Sequence, residues 1–225
     1  MKNLLLLTAF LFSAFISSAQ FETGQKLIGG QFGISSSNNK ISSTPGVSNS
    51  TFFLSFSPSV SRFKSPLVIS TTGFSYSYSR YRNYFGNPAS ERIEPAHSFG
   101  VFFSRTKLEP LAKKFYFTYT GTVGANSGFI HPYYVSTGAA DAQHEFYGAY
   151  LSGSIGLLYQ LSQRFLLTCE LTNLFNMNYQ HTVETGYAGP GSTYKNTGDQ
   201  VNLSTNLAGF NLSSMTVGVR YMMKK

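Results

Sequence analysis

The chain has 225 residues, with 17 Lys and Arg against nine Asp and Glu, one cysteine and no tryptophan. A single cysteine excludes an intrachain disulfide, and a net charge of +8 without a dense Lys/Arg cluster leaves no footprint for nucleic acid. Charged residues make up 12%, about half the usual share of a soluble domain, while aromatics reach 16%.

The N-terminus predicts a signal peptide over 1–19. Lys2 precedes an apolar run from Leu4 to Ile16, and Ser17 and Ala19 take the minus-three and minus-one positions before Gln20. The run is shorter than the ~20 residues of a spanning helix. The mature domain is expected over 20–225. No later segment is apolar enough for a membrane-spanning helix, so a membrane home would require a closed β-barrel.

Eight strands follow from period-2 patterning and turn-forming flanks. They are 27–37, 51–61, 67–79, 98–104, 115–126, 146–161, 165–174 and 207–219. The second reads TFFLSFSPSVS. Phe52, Leu54, Phe56, Pro58 and Val60 share one face, and Ser55, Ser57, Ser59 and Ser61 the other. In the third, Phe74, Tyr76 and Tyr78 oppose Gly73, Ser75, Ser77 and Ser79. In the sixth, Tyr147, Ala149, Leu151, Ile155, Leu157 and Tyr159 oppose Gly148, Ser152, Ser154 and Gly156, with Tyr150 and Leu158 as larger members of the small set. In the last, Met215, Val217 and Val219 oppose Ser214, Thr216 and Gly218. These eight spans hold 93 residues and one charge, Glu170. A soluble sheet with no charge on its wet face would aggregate. The serine and glycine face is therefore expected to be enclosed and the large apolar face to meet lipid.

Short connections (62–66, 105–114, 162–164) alternate with long ones (38–50, 80–97, 127–145, 175–206). In a meander this places three short turns and both termini at one end and four long loops at the other. The last long loop has room for an extra hairpin, so ten strands stay open. Tyr76, Tyr78, Tyr81 and Tyr84 near a loop end, and Phe115, Tyr116, Phe117 and Tyr119 near a turn end, suit interfacial aromatic girdles.

Across the whole mature chain this pattern resembles the small outer-membrane β-barrel proteins, the group that includes OmpX and the OmpA membrane domain. Its sharpest element is residues 216–223, TVGVRYMM, similar to that family's assembly signal with Thr216, Gly218, Tyr221 and Met223 in the signal's places. The tail Lys224-Lys225 departs from the family's aromatic end. The resemblance implies an all-β fold, an eight-stranded antiparallel up-and-down transmembrane β-barrel in a bacterial outer membrane. It also implies a last strand read by the barrel-assembly machinery, and contact with membrane lipid and lipopolysaccharide.

Catalytic and metal chemistry find little support. His97, His131, His144 and His181 lie in or beside the long loops. His97-Ser98 is the nearest pairing, but adjacent strand residues point to opposite faces. His144-Glu145 with Asp141 lacks a tight ligand spacing. Cys169 shares parity with Phe165, Leu167 and Leu171 and reads as a small apolar residue facing lipid. No enzyme, cofactor or metal site is expected. Glu170 shares parity with Thr168 and Thr172 and is expected inside, where a lone carboxylate is costly unless paired or wet. Arg220, Arg105 and Lys107 are its candidate partners, and the pair reads either as a structural lumen charge or as a gate. The expected function is envelope integrity and surface interaction through four long loops, 176–205 being the foremost contact surface. A narrow pore, a path for hydrophobic compounds and a soluble lipocalin-like domain are the alternatives.

Overall fold

The structure, a computed structural model, describes residues 21–40, 47–85, 91–134, 142–189, 192–205 and 216–223. The expected signal peptide, Asp141, Met215 and the Lys224-Lys225 tail lie outside these residues, as do the side chains of Tyr84 and Tyr187. Every element among the described residues is a strand: β1 (Lys26–Lys40), β2 (Val47–Ser65), β3 (Val68–Phe85), β4 (Arg92–Ala112), β5 (Phe115–Ile130), β6 (Tyr133–Tyr134), β7 (Gln143–Gln160), β8 (Phe165–Gly189), β9 (Ser192–Thr205) and β10 (Thr216–Met222).

All pairings are antiparallel. β1, β2, β3, β4, β5, β7, β8 and β10 form a ring, because β10 pairs with β8 on one side and β1 on the other. Leu27 lies opposite Met222 in that last seam, and Phe165 opposite Tyr221. A closed ring leaves no free edge strand at this level. β8 outruns its partner: Phe165 to Glu170 pair with β10, whereas Phe175 to Gly189 pair with β9. The segment 175–206 thus holds the extra hairpin rather than a loop. With the two-residue β6 on β4, the sheet counts ten strands.

The strands run longer than their apolar pattern. β4 covers 21 residues where the alternation marks only 98–104, and takes in Arg92, Glu94, Arg105, Lys107 and Glu109. Charge ends the apolar pattern but not the ladder, since backbone bonds are made by the neighbouring strands. Of the expected last strand over 207–219, residues 207–215 lie outside the described residues, and β10 covers Thr216–Met222.

The two faces separate by size. Phe32, Phe56, Val60, Phe74, Val101, Val123, Leu151 and Val219 are exposed on the outer face. Ser57, Ser59, Thr71, Ser75, Ser104, Thr120, Thr122 and Ser152 line the enclosed interior. Three of the residues lining the cavity are large rings: Phe53, Phe102 and Tyr150. Two glycines make room for two of them. A Cβ at Gly73 would lie 2.5 Å from Phe102, and one at Gly124 would lie 2.5 Å from Tyr150. Their registers agree, with Gly73 opposite Phe102 and Gly124 opposite Tyr150.

Candidate functional site

The interior is a cup. At the short-turn end, Leu27, Phe63, Ile69, Leu108, Tyr116, Leu158, Leu166 and Met222 are buried, one from each of the eight ring strands. Phe21 completes the layer, stacked on Phe63 at 4.5 Å and set 5.4 Å from Tyr116. The segment before β1 is held in place by backbone bonds. Gly24 N–H donates to Phe63 O at 2.8 Å, and Phe63 N–H donates to Gln25 O at 3.0 Å. Gly24 has φ +88°, a left-handed turn that favours glycine. The signal for this layer was a large apolar residue on the serine parity beside each short turn. Tyr116 belongs to it, so it is not part of a girdle. Tyr81 also falls on the inward parity. Tyr76, Tyr78, Phe115, Phe117 and Tyr119 keep to the outer face, where Phe117 and Tyr119 meet edge to face at 4.9 Å.

Above the apolar layer lies a polar one. Ser61 Oγ and Thr71 Oγ1 are 2.9 Å apart, and Thr106 Oγ1 and Thr120 Oγ1 are 3.0 Å apart. Arg220 is buried there, with Nη1 donating to Ser61 Oγ and to Thr71 Oγ1 at 3.4 Å each. Glu170 accepts hydrogen bonds from Ser154 and Gln31 and lies in the attractive field of Arg220. By register Glu170 sits opposite Thr216, and Arg220 opposite Leu166, four residues nearer the turns. Arg105 and Lys107 point outward and are exposed, so of the three expected partners Arg220 alone shares the interior. A cavity of about 400 Å³ continues from this layer, with Glu170, Arg220, Gln31, Asn176 and the serine and threonine set on its walls. Such a space can hold water or a small polar molecule; the apolar layer separates it from the short-turn end.

The four histidines do not converge on one centre. His97 lies on the outer face, 3.0 Å from Tyr76 O–H through Nδ1, and stacks on Phe129 at 5.0 Å. His181 Nδ1 lies 3.0 Å from Asp199 Oδ1, which also accepts from Tyr179 O–H at 2.6 Å. Both contacts hold the Asp199 carboxyl below the ordinary carboxylate range, the tyrosine bond first. Among the described residues no group of three His, Cys, Asp or Glu is placed to hold a metal ion. At the far rim Arg82 pairs with the buried Glu91, and Arg92 with Glu94 at 2.9 Å.

In the expected assembly signal, Thr216 and Gly218 face inward, Tyr221 faces outward, and Met223 lies just past the strand end. Tyr221 packs edge to face on Phe165 at 5.3 Å, across the seam that closes the ring. No family model matches this chain, and no curated protein is similar to it in sequence.

Proposed function

We propose that this chain is a small transmembrane β-barrel of a bacterial outer membrane. It acts as a non-enzymatic scaffold that supports the envelope and meets surface partners through the strand extensions and hairpin at the far end. The observation that carries this reading is the reversed polarity of the closed ring, with hydroxyls inside and large apolar side chains outside. On β2 the outward apolar run covers 52–60. At ~3.3 Å per residue and a tilt of ~40°, that is about 23 Å, close to the apolar band of such barrels. Membrane lipid, lipopolysaccharide and the barrel-assembly machinery are the partners implied, the last reading Thr216, Gly218, Tyr221 and Met223.

Extraction tests the placement. Membranes carrying the chain are washed with alkaline carbonate and with urea. The chain should stay in the pellet and should migrate faster unheated than boiled on a detergent gel. Recovery as a folded, detergent-free protein in the supernatant would sink the membrane reading in favour of a soluble, lipocalin-like domain. A narrow pore is the second reading, favoured by the cavity and opposed by the apolar layer beneath it.

A further inference from the structure

Charge is divided unevenly between the two ends of the ring. Among the described residues around the short turns, Lys26, Arg62, Lys64, Arg105, Lys107, Lys113, Lys114 and Arg164 stand with two acids, Glu22 and Glu109. That is eight cations against two acids, with Lys107 3.7 Å from Glu109. Among the side chains described at the far end, Arg80, Arg82, Arg92 and Lys195 stand against Glu91, Glu94, Glu145, Glu184 and Asp199, four against five.

The register gathers part of the excess into one row. Lys26 lies opposite Arg62, Arg62 opposite Ser70, and Ser70 opposite Arg105. These are four adjacent strands, so the row is about 14 Å long. Lys64 flanks it one step nearer the turns. One step the other way, Ile28, Val60, Thr72 and Phe103 form a neighbouring row on the same outer face. A groove of about 310 Å³ runs where the rows meet, walled by Lys26, Arg62, Lys64, Val60 and Phe103. The small Ser70 leaves a gap between Arg62 and Arg105.

We propose that this groove binds the anionic headgroup of a glycerophospholipid in the leaflet at the short-turn end, a conclusion that rests on the membrane reading above. Lys26, Arg62 and Lys64 take the phosphate, and Ile28, Val60 and Phe103 lie along the first acyl carbons. Charge complementarity selects the occupant. The cations demand an anion, and the apolar row directly beside them demands an attached hydrocarbon, which free phosphate lacks. Each cation near an anionic lipid surface is worth about a fivefold gain in binding.

The test uses the full chain folded in micelles doped with equal phosphatidylglycerol and phosphatidylcholine, with retained lipids counted by native mass spectrometry. The wild type should retain phosphatidylglycerol over phosphatidylcholine by on the order of tenfold. Lys26→Gln with Arg62→Gln and Lys64→Gln should abolish that preference. The charge-conserving set Lys26→Arg, Arg62→Lys and Lys64→Arg should keep most of it, and Lys195→Gln at the far end should leave it unchanged. If the triple variant fails to fold, Lys64→Gln alone, exposed beside the turn, should still reduce the preference severalfold. Equal retention of the two lipids by the wild type, or an equal loss in Lys195→Gln, overturns the inference. A chain recovered folded without detergent in the extraction test sinks the membrane reading itself; one that stays in the membrane pellet and folds in micelles without headgroup preference sinks this inference alone.

Discussion

Glu170 and Arg220 are the charges held in the middle of the interior, and each depends on neutral neighbours as much as on the other. The carboxylate takes hydrogen bonds from Ser154 and Gln31, while the guanidinium donates to Ser61 and Thr71. Removing one member of a buried pair leaves the other uncompensated. Glu170→Gln is expected to cost about 2 kcal/mol, lowering the thermal midpoint in detergent by roughly 5 °C. The double variant with Arg220→Met should lie closer to wild type than Glu170→Gln alone. Unchanged melting of Glu170→Gln would remove the pair from any role in stability. The inward direction of Glu170 was legible from its parity with Thr168. Its hydrogen-bond partners were not, because Gln31 reaches it from β1, far away in the sequence, and Ser154 from β7 across a register that shifts at that point.

At the level of elements, the β8–β9 hairpin stands apart from the ring. Tyr179 lies 13 residues past Leu166 of the apolar layer, which at ~3.3 Å per residue and a tilt of ~40° is roughly 33 Å along the axis. His181 and Asp199 stand higher still, in water. The folded pKa of Asp199 is depressed by Tyr179 and His181, so its contribution is present above the ordinary carboxylate pKa. It fades as pH falls through the lower folded value. Amide exchange over 176–205, corrected for its intrinsic pH dependence, should therefore lose protection as the pH falls through and below the ordinary carboxylate range. Asp199→Asn should remove that dependence, and a wild-type hairpin indifferent to pH would show the contacts contribute nothing. The apolar face of this hairpin is open: Val201 is 63% and Leu203 72% exposed, beside Met177 and Tyr179. The hairpin was only an open alternative in the sequence, because its Gly, Asn and Tyr content reads equally as loop until β8 supplies an edge to pair with.

For the molecule as a whole, the apolar layer decides whether the interior is a passage or a cup. Nine side chains close it, and Phe21 reaches it from outside the strands. The wild type in planar bilayers should give no conductance above leak. Phe21→Ala with Phe63→Ala should raise conductance and should cost at least ~3 kcal/mol of stability. Conductance in the wild type equal to that of the variant would mean the layer is no barrier. The alternation of serine with phenylalanine was enough to mark eight ring strands and the hydroxyl-lined interior. Those properties are local, since a period of two assigns faces wherever a strand forms. The apolar layer, the Gly73–Phe102 and Gly124–Tyr150 fits, the basic row from Lys26 to Arg105 and the edge that recruits β9 came from the tertiary structure. Each is assembled from one residue per strand, and the register that brings those residues level exists only once the ring has closed.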